Sequence, residues 1–141
     1  MSKGLIARQS VQINAPAANV WDALVNPEKV KRYMFGSTVA SDWKPGSAIT
    51  FTGEWQGKHY QDKGVILRSE PRRLLEYTHF SPLSGLPDTP DNYHTVTIEL
   101  SEQRGVTTLS LSQDNNSTEQ AREHSEKNWG VMLDGLKKVV E

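Results

Sequence analysis

The stretch "NWGVMLDGLKKVVE", Asn128 to Glu141, decides the fold. Trp129, Met132, Leu133, Leu136, Val139 and Val140 recur at the three- and four-residue steps that gather on one side of an α-helix, so the spacing predicts a long amphipathic helix. Ser117, with Gln120 three residues on, predicts a capping box at its start. Gly130 and Gly135 each cost roughly 1 kcal/mol of helix propensity relative to alanine. Their presence implies close backbone approach or space left open beside the helix. An apolar stripe of this length needs an equally long apolar surface to cover it.

That surface is written upstream as strands. "HTVTIEL" and "TTLSLSQ" form a hairpin through Gln103, Arg104 and Gly105, with His94, Val96, Ile98 and Leu100 on one face and Leu109, Leu111 and Gln113 on the matching one. Gln113 then stands opposite His94 or Val96. "GVILRSEPRRLLEYTHF" reads as two strands joined at Pro71, and polar Glu76 and Thr78 place Leu75, Tyr77 and His79 on the inner face. Ile49, Phe51, Gly53 and Trp55 alternate with Thr50, Thr52 and Glu54 after a Lys44-Pro45-Gly46 turn. "SPLSGLPDTPD", residues 81–91, holds three of the seven prolines and no period. It is a loop longer than the usual ~4–6 residues, a length that suits a lid or binding edge.

At the other end, "LIARQSVQI" alternates as a half-buried strand, and Pro16 then opens a helix with Val20, Trp21, Leu24 and Val25 on one face. Pro27 ends that helix and begins a short second one through Tyr33. The order is strand, two short helices, strands, long helix. This is an α+β chain whose terminal helix lies on an antiparallel sheet, and its 141 residues form one domain, 1–141.

Charge is nearly balanced, 16 Lys plus Arg against 17 Asp plus Glu, with the signs interspersed. That pattern excludes a strong field for nucleic acid or anionic lipid. The absence of cysteine removes disulfides, thiolate metal sites and a cysteine nucleophile. With neither a leader pattern nor an apolar run of membrane-spanning length, the expectation is a cytoplasmic chain that contacts no membrane. The four histidines, His59, His79, His94 and His124, show no metal-ligand spacing, so no metal and no cofactor are expected. No serine sits in a nucleophile elbow, and Glu54 and Glu76 alternate outward, which argues against a paired-carboxylate mechanism. Arg72 and Arg73 in "EPRRLLE" read as a solvated turn.

Three segments together carry a resemblance: "INAPAANVWDALVNPEKV", "DKGVILRSEPRRLLEYTHF" and "NWGVMLDGLKKVVE". Over essentially the whole chain the sequence resembles the START-like helix-grip (SRPBCC) superfamily, and more closely the activator of heat-shock protein ATPase homologue-like branch. The resemblance implies a seven-stranded curved antiparallel sheet wrapped around the C-terminal helix, two short helices between strands 1 and 2, and a cavity that in many relatives takes hydrophobic or aromatic small molecules. Relatives include polyketide cyclases, aromatases and carriers of lipids and plant hormones.

Three functions follow as expectations. The first is binding of a small hydrophobic or aromatic molecule in a cavity lined by Tyr33, Phe35, Phe51, Trp55, Tyr77, His79, His94, Gln113, Trp129 and Met132. Large adaptable rings would supply apolar contact, with the histidines and Gln113 orienting the ligand. The second is a cyclase- or hydrolase-type enzyme in which His79 or His94 moves a proton. The third is a chaperone-interacting module that stimulates an ATPase. A monomer and a homodimer both fit these expectations.

Overall fold

The computed structural model describes residues 4–141, the side chain of Trp55 excepted. Period-two alternation produces Leu5–Ile13 (β1), which lies antiparallel to Val106–Asn116 (β7). The sheet continues through His94–Gln103 (β6), Leu74–His79 (β5), Lys58–Glu70 (β4), Ala48–Trp55 (β3) and Thr38–Ser41 (β2), seven antiparallel strands in the order β1-β7-β6-β5-β4-β3-β2. Two short helices, Ala17–Val25 (α1) and Pro27–Tyr33 (α2), separate β1 from β2, and Glu119–Val140 (α3) closes the chain. Pro16 stands just before α1, and the Asn26 side chain caps α2 by accepting the Glu28 N–H at 3.1 Å.

All seven strands contribute to one core with the helices. Ile13, Val39, Ile49, Ile66, Leu75, Val96 and Leu109 from the sheet meet Leu133 and Leu136 of α3, with Val20 and Val30 of the short helices beside them. The stripe read from "NWGVMLDGLKKVVE" is the surface that the sheet grips. Both glycines of α3 mark close approach. A Cβ at Gly135 would lie 3.0 Å from Tyr33 Cβ, and one at Gly130 would lie 3.3 Å from Gln9 Nε2. Gln9 uses that contact to donate to the Glu126 carbonyl at 2.8 Å.

The start of α3 corrects the sequence reading. Thr118, extended at φ −140°, is the cap, and its hydroxyl accepts the Ala121 N–H at 3.0 Å. Ala121 then occupies the position where a capping box needs Glu or Gln, so the reciprocal bond is missing. Thr118→Ala should therefore cost about 1 kcal/mol in urea denaturation, against a few tenths for Ser117→Ala.

β4 also begins earlier than its pattern predicts. The Gln56-Gly57 turn, both residues at positive φ, reverses β3 tightly into Lys58, six residues ahead of Gly64. In the β6–β7 hairpin Gln113 stands opposite Val96, which resolves the open register. The loop after β5 contains two single 3-10 turns, Pro82–Ser84 and Pro90–Asn92. Among the described residues no helix is long and apolar enough to cross a membrane.

Candidate functional site

Strand alternation puts Phe51 of β3, Tyr60 and Asp62 of β4, Tyr77 and His79 of β5, and Gln113 of β7 on one wall. α3 presents Ser125, Asn128, Trp129 and Met132 to the same space. Met34, Phe35 and Ser37, which follow α2, and Ser81 and Leu83 of the loop complete the rim. Together they surround an open cavity of about 730 Å³. That volume lies within the ~300–1,000 Å³ of small-molecule sites, and the exposed wall is mostly apolar although many of the lining side chains carry a polar group. Deeper in the core lies a void of only about 30 Å³, room for roughly one water.

The predicted site residues divide. Phe35, Phe51, Tyr77, His79, Gln113, Trp129 and Met132 converge on the cavity. Tyr33 lies beneath it, buried beside the small void, and its hydroxyl donates to the Ala23 carbonyl at 2.8 Å. His94 does not line the cavity: its Nδ1 lies 2.8 Å from the Asp114 carbonyl oxygen, and β6 ends its inward face there. The Trp55 side chain lies outside the described residues. Glu54, expected to point away, lies at the cavity edge beside His59 Nε2 at 3.3 Å.

Asp62 is a cavity-lining side chain that sequence reasoning missed. Its phase was legible, because Tyr60, Asp62 and Gly64 step by two from buried Ile66. A strand started at Gly64 leaves that phase unused. The pair Phe51↔Asp62 aligns β3 with β4, and His79 on β5 closes from the other side, with Nε2 3.0 Å from Asp62 Oδ2. Asp62 Oδ1 is buried without a hydrogen-bond partner among the described residues.

Several other polar groups of the lining have partners. The Trp129 Nε1–H donates to Gln113 Oε1 at 3.1 Å. Because an indole nitrogen only donates, this contact fixes which end of the Gln113 amide faces α3. Ser37 Oγ and the Tyr60 hydroxyl share a 2.5 Å hydrogen bond, and Ser125 donates to Asn116 Oδ1 at 3.0 Å. The Phe51 ring stands edge-on to His79 at 5.8 Å and tilted against Tyr77 at 5.9 Å. Burial pushes the Tyr77 phenol, like that of Tyr33, far above its ordinary pKa, so the wall it forms is neutral. Among the described residues no three His, Asp or Glu side chains group to hold a metal ion.

The loop that supplies Ser81 and Leu83 is latched from outside the cavity. Lys63 of β4 pairs with Asp88, the Tyr93 hydroxyl donates to the other Asp88 oxygen at 2.6 Å, and the Tyr93 ring stacks on Phe80 at 5.1 Å. The hydrogen bonds from Lys63 and then Tyr93 hold the Asp88 carboxyl below its ordinary range. A depressed folded value means that the latch contributes fully above roughly pH 5 and is lost as pH falls below about 3.9 and through the folded value. Backbone 15N relaxation should show lower order parameters over residues 83–88 at pH 3 than at pH 7. Asp88→Asn should show the same loosening at pH 7, with β5 and β6 unchanged.

A long C-terminal helix gripped by an open seven-stranded antiparallel sheet, with two short helices after the first strand, defines a START-like helix-grip protein. The chain belongs to the Activator of Hsp90 ATPase homolog 1-like protein family, whose model matches residues 14–141. It is similar to ChR145 from Cytophaga hutchinsonii, at 56% identity and a TM-score of 0.85 over 98% of this chain and 94% of that one. The same fold recurs in the Aha1 dimer from Colwellia psychrerythraea, at 16% identity and a TM-score of 0.75, covering 97% and 96% of the two chains. It recurs again in DynU16, a protein of the dynemicin biosynthetic locus, at 18% identity and a TM-score of 0.76, covering 94% of this chain and 46% of that one. A search of curated proteins finds no match.

Proposed function

We propose that this protein binds a small hydrophobic or aromatic molecule between the sheet and α3. The observation that carries the reading is the open cavity of about 730 Å³ with Phe51, Tyr77, Trp129 and Met132 on its walls. A ring of naphthalene size fits such a volume, and burying its apolar surface at ~25 cal/mol per Å² supplies the affinity. The place of DynU16 in a biosynthetic locus supports a small-molecule role for the fold. Titration of tryptophan emission with naphthalene-sized aromatic compounds tests the reading. Quenching that saturates, and that shrinks in Trp129→Phe, supports it; emission unmoved by the whole series counts against it.

One observation favours a second reading. The Asp62–His79 pair in the cavity wall has the arrangement of an oriented general base, which suits a cyclase- or hydrolase-type enzyme. Turnover lost in His79→Gln with binding retained would select that reading. The description of the family supports a chaperone-contacting role, tested by the ATPase rate of the chaperone from the same cell. The dimeric state of the Colwellia neighbour supports a homodimer, which sedimentation would decide.

A further inference from the structure

The orphaned oxygen of Asp62 carries an inference that rests on the cavity reading above and names what the cavity selects. Asp62 Oδ2 is 3.0 Å from His79 Nε2, and Oδ1 is buried with no partner among the described residues. An ionised carboxylate only accepts hydrogen bonds, and a neutral imidazole carries its proton on one nitrogen. With the proton on Nε2, His79 gives Asp62 the one side-chain donor it has among the described residues. With the proton on Nδ1, the ring sets a lone pair against the carboxylate and leaves both oxygens without that donor, at a cost of about 1–3 kcal/mol. Asp62 therefore holds the Nε2–H tautomer, and Nδ1 is left as an acceptor.

Other groups of the lining can accept as well, among them the Glu54 carboxylate at the edge and the Tyr77, Ser81 and Asn128 side chains; the His79 acceptor is set apart by its place against aromatic surface. His79 lines the cavity beside the edge of Phe51, and the neighbouring hydroxyls of Ser37, Tyr60 and Ser125 already have partners. Gln113 spends its oxygen on Trp129 and keeps its amide nitrogen, a donor, for the cavity. With the ring neutral, the wall offers aromatic surface with an acceptor on β5. We infer that the cavity selects aromatic molecules bearing a hydroxyl group, which donates to His79 Nδ1, with Asp62 as the positioning residue that fixes the ring's tautomer.

Two probes of matched ring size test this on the full chain at pH 7.5: 2-naphthol, which can donate, and 2-methoxynaphthalene, which cannot. Calorimetric titration should show the naphthol binding about five- to tenfold more tightly, the span of one net hydrogen bond. The ratio should fall to within about twofold in His79→Phe. It should fall likewise in Asp62→Asn, whose amide can donate to Nε2 and release the tautomer. Imidazole 15N shifts of the unliganded protein should show a protonated Nε2 and a bare Nδ1, and the Nδ1 resonance should move with the naphthol and stay with the ether. Equal affinity for both probes in the unaltered protein, or a proton found on Nδ1, overturns the inference and leaves the cavity reading standing. Binding of neither probe to the folded protein removes both.

Discussion

Alanine at Gly64 should cost about 3 kcal/mol of stability, the largest effect expected of a glycine-to-alanine change among the described residues. Gly64 lies on β4 where its flank faces β5, and a Cβ there would fall on the Thr78 carbonyl oxygen, deep inside van der Waals contact. The obstacle is backbone, which cannot swing aside as a side-chain tip can. Local pairing shows how tightly the strands are drawn: Lys63 bridges to Phe80, and the Val65 N–H turns to the Thr78 hydroxyl at 2.9 Å. Relief would require β4 and β5 to separate next to Asp62 and His79, so the cavity wall should loosen along with the fold. Gly57 supplies the comparison. It has positive φ and open space around it, so Gly57→Ala carries only backbone strain, about 1–2 kcal/mol. Urea denaturation of the two variants should rank them in that order. A Gly64→Ala protein as stable as Gly57→Ala would mean that β4 and β5 approach less closely than the structure has them.

The second large effect is on binding. Trp129→Ala should weaken a naphthalene-sized ligand by about 70-fold, taking ~100 Å² of shared apolar contact at ~25 cal/mol per Å² as ~2.5 kcal/mol. The substitution also removes the indole N–H from Gln113 Oε1, freeing that amide to turn in the wall. Trp129→Phe separates the two contributions, since it keeps most of the ring and drops the donor; a loss within about fivefold is expected for it. Circular dichroism establishes that the variants are folded, and calorimetry with 2-naphthol reads the affinity. Folded Trp129→Ala that binds as the unaltered protein does would remove Trp129, and with it the sheet-to-α3 space, from the binding site.

Asp62 shows where sequence reading stopped. "KHYQDKG" carries Tyr60 as its one aromatic marker among polar neighbours, so its alternation is faint, and the β4 pattern becomes strong only at Gly64 and Ile66. The Gln56-Gly57 turn then sets the register that brings Asp62 beside Phe51. His94 shows the opposite error. It shares a face with Val96 and Ile98 by count, but its ring is taken by the Asp114 carbonyl at the strand end, where the local chain bends through Asn115 at positive φ. The capping residue of α3 was displaced by one position for a similar reason: Ser117 and Thr118 offer the same hydroxyl, and only backbone direction distinguishes them.

Local patterning supplies most of the elements and the inner faces of β5, β7 and α3, but neither β2 nor the first half of β4. The stripe from Trp129 to Val140 and the alternation of β5, β6 and β7 are periodic, and periodicity follows from local backbone geometry alone. The resemblance carried by three segments extended those elements to the helix grip. Tertiary structure decided which inward groups meet: that Trp129 reaches Gln113, that Tyr33 passes below the cavity to Ala23, and that His79 on β5 finds Asp62 on neighbouring β4. Such pairings depend on register and on the distance between sheet and helix. Both are set by packing summed over the whole core, and no local stretch of the chain encodes them.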